Sequence, residues 1–387
     1  MLNTPQHSQL LERIVLKTRE LGFDYVGMIP VSASETIAVY TRWLEQGYAG
    51  NMEYLHRHQE KKHDPREVLP ETQSLIILGM NYHTVDPSKQ ELSDPSLGVI
   101  SRYAWGNDYH DVIFEKMRML REFVEQLTAT EFRHKAFVDT GPVLEREYAW
   151  KAGLGWFGKH SNLISGKQGS WIFLAEMLLN LQLYQPLPMP KGGCGTCTRC
   201  IDACPTRAIV ADRVVDARHC ISYLTIELRE AIPRELRPLI GNRIFGCDIC
   251  QEVCPWNKSA EITTIPDFFP RPENYLPSLI SLMGLSQEDF SHTFRKSPIK
   301  RTKRRGLLRN VAVALGNWKN PVAIPVLKQA LYDEEPLIRE HAAWALGEIQ
   351  HSDVETILKL AIQCEEVSTV RHEIHLALEK YSSGFTL

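Results

Sequence analysis

The chain has 387 residues, 24% charged and 43% apolar, with 44 Lys plus Arg against 47 Asp plus Glu and a net charge of −3. These figures exclude gross disorder and a uniformly basic nucleic-acid coat, but leave room for two or three domains and a local basic patch. The first twenty residues mix charges into apolar positions without a secretory h-region, and the apolar run Ser74-Leu-Ile-Ile-Leu-Gly-Met80 is too short to span a bilayer, so a soluble cytoplasmic protein is expected.

Residues 1–185 read as an α/β domain. Residues 8–20 have helical periodicity and close at Gly22, and 74–82 look like a buried strand. Residues 107–128 make a long amphipathic helix with Asn107 or Asp108 as its N-cap. A short strand over 134–140, a turn at Gly141-Pro142 and a helix from about 142 to 152 follow. Segments 161–165 and 170–175 suggest a hairpin around Gly166-Lys-Gln-Gly169, and Gln185-Pro-Leu-Pro-Met-Pro190 has the composition of a linker.

Residues 186–275 hold the cysteines. None of the nine lies before residue 194, eight fall between 194 and 254, and Cys364, expected as an ordinary core residue, stands apart. A long chain without a leader does not suit a disulfide scaffold, so the crowding points to metal. Cys194-Gly-Thr-Cys197-Thr-Arg-Cys200-Ile-Asp-Ala-Cys204-Pro205 is the bacterial ferredoxin run, in which the fourth cysteine serves the other cluster. Structural zinc instead favours separated Cys-x₂-Cys pairs. Cys247-Asp-Ile-Cys250-Gln-Glu-Val-Cys254-Pro255 is the same run with Ile244 in the first cysteine's place, and Cys220 is the nearby substitute. Crossing the fourth cysteines gives two [4Fe–4S] sets: Cys194, Cys197, Cys200 and Cys254, then Cys204, Cys220, Cys247 and Cys250. The domain is expected to be bacterial ferredoxin-like with two clusters.

Residues 276–387 read as all-α. Residues 309–316 (RNVAVALG) return as 340–347 (EHAAWALG), and Leu327 returns as Leu358, at the spacing of HEAT-like helix pairs. Ahead of them, 295–309 (RKSPIKRTKRRGLLR) carries eight basic residues and no acid. Lys300, Arg301, Lys303, Arg304 and Arg305 are therefore candidates for binding a nucleic-acid backbone.

Taken together, Ala104-Trp-Gly-Asn-Asp-Tyr-His-Asp111, Val138-Asp-Thr-Gly-Pro-Val-Leu-Glu-Arg146, Gly153-Leu-Gly-Trp-Phe-Gly-Lys159, Cys220-Ile-Ser-Tyr-Leu-Thr225, Ile240-Gly-Asn-Arg-Ile-Phe-Gly-Cys-Asp-Ile-Cys250 and the helical tail resemble the epoxyqueuosine reductases over nearly the whole length. The resemblance implies a cytoplasmic enzyme with cobalamin and two [4Fe–4S] clusters that reduces epoxyqueuosine to queuosine at the tRNA wobble position. It also implies an external electron donor, and a monomer is adequate for the task. It makes Asp139 the proton donor, whereas the residues alone favour a helix N-cap there. If Asp139 is buried against a corrin face, its pKa should rise. The resemblance further implies cobalamin contacts from Arg57, Ser101, Asp139, Leu163, Ser165, Leu174, Ser222 and Asp248. His160 is a weaker candidate for touching a ligand. No Asp-x-His-x-x-Gly string occurs, so cobalamin is expected base-off with no histidine below the cobalt. A reductive dehalogenase-like small-molecule reductase and a non-catalytic iron–sulfur electron carrier are the competing readings.

Overall fold

The computed structural model describes residues 4–185, 188–189 and 191–382. Part of the proline-rich segment ending at Pro190 therefore lies outside the described residues. The chain divides into two compact units, each discontinuous in sequence: Met1–Val85, Asn107–Asp216 and Ile249–Phe269 form one, and Asp86–Gly106, Ala217–Asp248 and Pro270–Leu387 the other. Among the described residues no helix is long and apolar enough to cross a membrane.

The first unit is built on a four-stranded antiparallel sheet. Its strands are β1 (Tyr25–Pro30), β2 (Ser74–Asn81), β3 (His134–Phe137) and β4 (Ile172–Leu179), in the order β1-β2-β4-β3. Every residue of β2 and seven of the eight in β4 are buried, so both faces of the sheet are covered. Successive side chains alternate between faces. Leu75, Ile77, Leu174 and Leu178 pack with Tyr148, Ala149 and Ala152 at the end of a short helix over Glu145–Lys151. Helices α1 (Thr4–Glu20) and α2 (Tyr109–Thr128) pack against each other, α2 also against β3.

Several local expectations are met and others are overturned. Asp108 caps α2, its carboxylate accepting from the His110 N–H at 3.1 Å. The hairpin expected at 161–175 does not form. Leu163–Ile164 pairs instead with Trp156–Phe157, and 172–179 enters the main sheet between β2 and β3. Between the two segments a bridge joins Ser165 to Gly169, and the Gln168 N–H donates to Ser165 Oγ at 3.0 Å. An almost wholly apolar strand gains more from two buried neighbours than from one local partner.

In the second unit, helices over Lys303–Trp318, Pro336–Glu348 and Ser368–Ser382 pack in succession, with Ile324–Ala330 and Ser352–Cys364 between them. The repeat has a steric cause: a Cβ on Gly316 would lie 2.9 Å from Ala345 Cα, and one on Gly347 would lie 3.0 Å from Ala377 Cα. The first of these helices also holds the segment beneath it. Buried Arg309 donates to the carbonyls of Leu224, Leu228 and Glu230, and Asn310 donates to those of Thr225 and Ile244. Cys364 corrects its expectation: it is exposed, because its helix ends there and the inward place goes to Glu365, which pairs with Arg339 at 2.6 Å.

Candidate active site

Asp139 follows β3 at the apex of a three-residue turn, closed by the Thr140 N–H donating to the Val138 carbonyl at 2.7 Å. Its φ is +50°, a left-handed conformation that a non-glycine residue adopts at a cost. The N-cap reading is overturned. The next helix starts only at Glu145, preceded by Leu144, and a left-handed residue cannot take the extended geometry of a cap.

Two neighbours hold the Asp139 carboxyl. The Tyr109 hydroxyl donates to Oδ2, and His110 Nε2 lies 2.9 Å from Oδ1. His110 Nδ1 in turn lies 2.7 Å from Asp108 Oδ1. Adjacent residues on α2 thus grip one carboxyl from two sides, while the residue that caps the helix holds the imidazole. Tyr109 is fixed by stacking on Phe173, with ring centroids 4.2 Å apart and planes 6° apart. Phe173 meets Phe268 edge-on at 5.1 Å. The Asp139 side chain remains 37% exposed, so its carboxyl is presented rather than sealed.

A set of charges lies close to this turn. Glu145 is held above the ordinary glutamate range by burial and by the charge of Asp139. Glu176, on β4 and on the same face as Leu174 and Leu178, is 1% exposed and its Oε2 has no hydrogen-bond partner. Burial, then the charges of Glu145 and Asp139, push it well above the ordinary range. Lys62 is pushed down by burial, against the pull of Glu145 and Glu176. Glu147 is the contrast. It is equally buried, yet the Ser34 and Thr36 hydroxyls and Lys151 outweigh burial and hold it low. A buried carboxyl without donors keeps its proton, and one with donors loses it.

Four of the eight clustered cysteines face one cavity in this unit. Cys194, Cys197, Cys200 and Cys254, with His160, Arg199, Pro255 and Trp256, line a space of about 330 Å³ including the solvent it opens onto. Burial, and then the neighbouring Cys194, push the Cys200 thiol up; burial does the same for Cys254, with Cys194 and Cys197 adding to it. Converging thiolates repel one another unless a cationic group lies between them, which is the donor chemistry of an iron–sulfur cluster. The Lys159 N–H donates to Cys194 Sγ at 3.4 Å. His160 is 3% exposed, with Nε2 lacking a partner, and burial pushes its pKa down to about 4. Of the other set, Cys204 and Cys250 belong to this unit and Cys220 and Cys247 to the second. Cys204 Sγ accepts from the Ala208 N–H at 3.3 Å.

The remaining candidates fall in different surroundings. Arg57 is exposed beyond a short helix over Glu53–His56. Leu163 and Leu174 are core residues, and buried Ser165 is hydrogen-bonded to the Tyr25 hydroxyl at 2.8 Å. In the second unit, buried Ser101 donates to Asp248 Oδ1, and the Arg102 N–H reaches Oδ2 at 2.7 Å. Burial raises Asp248 and these donors oppose the rise. Ser222 is half-buried on the helix over Ile221–Ile226. In the basic run, Lys300, Arg301 and Lys303 are exposed and Arg305 is half-buried, whereas Arg304 is paired with Asp333 at 2.5 Å.

Sequence reasoning missed the grip of Tyr109 and His110 on Asp139, and the carboxyls of Glu145 and Glu176. A lone acid inside the apolar string of 172–179 was the available signal for Glu176. Nothing in the sequence pairs Asp139 with residues thirty positions earlier.

Three family models match the chain: epoxyqueuosine reductase QueG, DUF1730, over residues 62–140; a 4Fe-4S double cluster binding domain over 193–257; and HEAT repeats over 302–379. The epoxyqueuosine reductase of Escherichia coli is 43% identical over 342 residues, covering 88% of this chain and 90% of the relative. That of Pseudomonas aeruginosa is 44% identical over 349 residues, covering 89% and 96%. A crystal structure of epoxyqueuosine reductase with a tRNA-Tyr epoxyqueuosine-modified stem loop superposes with a TM-score of 0.88 at 32% identity, covering 97% of this chain and all (100%) of the other. The Bacillus subtilis enzyme, with its catalytic aspartate loop swung out of the active site, gives a TM-score of 0.87 at 31% identity and covers 97% and 99%. The chain belongs to the epoxyqueuosine reductase family.

Proposed function

We propose that this chain reduces epoxyqueuosine to queuosine in tRNA, with Asp139 as the proton donor to the departing oxygen. The overall change takes an epoxide to an alkene with two electrons and two protons and releases water. No side chain supplies the electrons, so cofactors must. When bound, cobalamin supplies a strong nucleophile and reductant, and the [4Fe–4S] clusters deliver electrons singly from an external donor. Cys194, Cys197, Cys200 and Cys254 hold one cluster. By the sequence count, Cys204, Cys220, Cys247 and Cys250 hold the other. Arg57, Ser101, Leu163, Ser165, Leu174, Ser222 and Asp248 are the proposed cobalamin contacts. Both nitrogens of His110 are engaged by Asp108 and Asp139, so this imidazole would stay with the proton donor and would not ligate a corrinoid bound beside it.

The chain's own groups manage the proton. With Asp108 accepting from His110 Nδ1–H, Nε2 faces Oδ1 of Asp139, and one proton can be shared between them. As Asp139 gives its proton away, the Tyr109 hydroxyl stabilises the carboxylate left behind. A second proton, from solvent, is taken up by His110 as an imidazolium that Asp108 stabilises as the orienting acid of a triad does, and passes from Nε2 to Asp139 to restore the acid. The tRNA is held by its backbone through Lys300, Arg301, Lys303 and Arg305, while Arg304 is committed to Asp333. A monomer in the cytoplasm carries all of this.

The observation that carries the reading is the Asp139 carboxyl, gripped by Tyr109 and His110 yet still presented. Asp139→Asn keeps the size and removes the acid. Turnover on epoxyqueuosine-containing tRNA should fall about 10²-fold or more with iron content unchanged. Near-normal turnover would remove Asp139 from the chemistry.

A further inference from the structure

His160 follows the Gly153–Lys159 loop and is 3% exposed. Its Nδ1 accepts from the Asn162 backbone N–H at 3.3 Å. A nitrogen that accepts carries no hydrogen, so the ring proton sits on Nε2. That Nε2–H is buried without a partner, on a ring that lines the cavity of Cys194, Cys197, Cys200 and Cys254. The ring rests against bare glycine: a Cβ on Gly158 would lie 2.9 Å from His160 Cε1 and 3.2 Å from Nε2. Any side chain at 158 would displace the imidazole. A buried N–H left unsatisfied is costly, so this fixed tautomer calls for an acceptor. The acceptors that four thiolates would bring into the cavity are cluster sulfurs.

We propose that His160 donates its Nε2–H to a sulfur of the cluster held by Cys194, Cys197, Cys200 and Cys254, and so raises that cluster's reduction potential. Reduction adds negative charge to the sulfurs, and a hydrogen-bond donor stabilises the more negative state. The donor is a neutral imidazole, which adds a dipole without a full charge. The Lys159 N–H on Cys194 Sγ acts in the same sense, but it is backbone and stays in every variant. His160 is thus a tuning residue that acts through the cluster. A mere space-filling role would let any residue of similar volume keep the potential.

The inference rests on the cluster reading above, and the test separates the two. The full chain is reconstituted anaerobically as wild type, His160→Phe and His160→Gln, and iron and sulfide are counted before a redox titration followed by electron paramagnetic resonance. Phenylalanine fills the space without a donor, while glutamine keeps an N–H. In His160→Phe one titration step should move to lower potential. At the wild-type midpoint the reduced-to-oxidised ratio of that cluster should fall about tenfold, equivalent to about 59 mV for a one-electron couple. The other step should stay, and His160→Gln should recover part of the shift. A ratio within about twofold of wild type in a fully loaded His160→Phe protein would overturn the proposal. If His160→Phe does not hold iron, wild type labelled with ¹⁵N-histidine decides. Its reduced cluster should show a histidine nitrogen coupling in pulsed spectra, and the lack of one would overturn the proposal. Wild type that binds no iron would instead overturn the cluster reading itself.

Discussion

Glu176→Gln isolates the buried carboxyl on β4 while keeping its shape. In the native chain burial, with Glu145 and Asp139 adding to it, holds Glu176 well above its ordinary value of 4.5. The unfolded chain titrates near that ordinary value. Between the two pKa values the native state keeps a proton that the unfolded state has lost. Stability therefore falls as pH rises through this window, by about 1.4 kcal/mol per pH unit for one proton. Glutamine, which does not titrate, escapes this loss throughout the window. The difference between wild type and variant should thus move in the variant's favour by about 1 kcal/mol for each pH unit of the window above 4.5, and flatten well below pH 4.5. Hydrogen exchange at the amides of β2 and β4, corrected for intrinsic rates, reads this difference in the sheet itself. The infrared carbonyl band of a protonated carboxyl should be present in wild type at pH 7 and weaker in the variant. A pH-independent difference, with no such band, would mean that Glu176 is ionised in the fold and would refute the reasoning.

Neutralising Lys300, Arg301, Lys303 and Arg305 together should weaken tRNA binding and flatten its salt dependence by roughly 0.7–0.9 in log–log slope for each phosphate no longer neutralised. Arg304→Ala should instead lower the melting temperature with little change in that slope, because its guanidinium is spent on Asp333. Cys220→Ser should leave about four irons per chain rather than eight, with one set of cluster signals intact; full iron with unchanged spectra would break the crossed assignment.

Much of this molecule is legible in its sequence, and the unread parts share a cause. The cysteine run speaks through covalent spacing, which survives any misreading of the fold. The 74–81 strand and the α2 helix speak through periodicity and a cap at Asp108. The 172–179 strand was misread because Gly166 and Gly169 advertise a local hairpin, while the true partners lie about 95 and 40 residues back. Asp139 could pass for a cap because its left-handed φ is imposed by a turn that composition does not encode. In the basic run, charge counts alone cannot tell Lys303, which faces solvent, from Arg309, which is buried and satisfied by carbonyls. The hydrogen-bonded chain from Asp108 through His110 to Asp139 depends on a contact across about thirty residues, so only the fold reveals it.

The most direct measurement is product analysis of epoxyqueuosine-containing tRNA after anaerobic incubation with the iron-loaded chain, cobalamin and a low-potential reductant. Nucleosides from the digested tRNA are separated by liquid chromatography and weighed by mass spectrometry. The epoxide nucleoside should disappear and queuosine, one oxygen lighter, should appear in equal amount. Conversion should stop when cobalamin is omitted. Unchanged epoxyqueuosine with the complete mixture, or equal conversion without cobalamin, would contradict the proposed function.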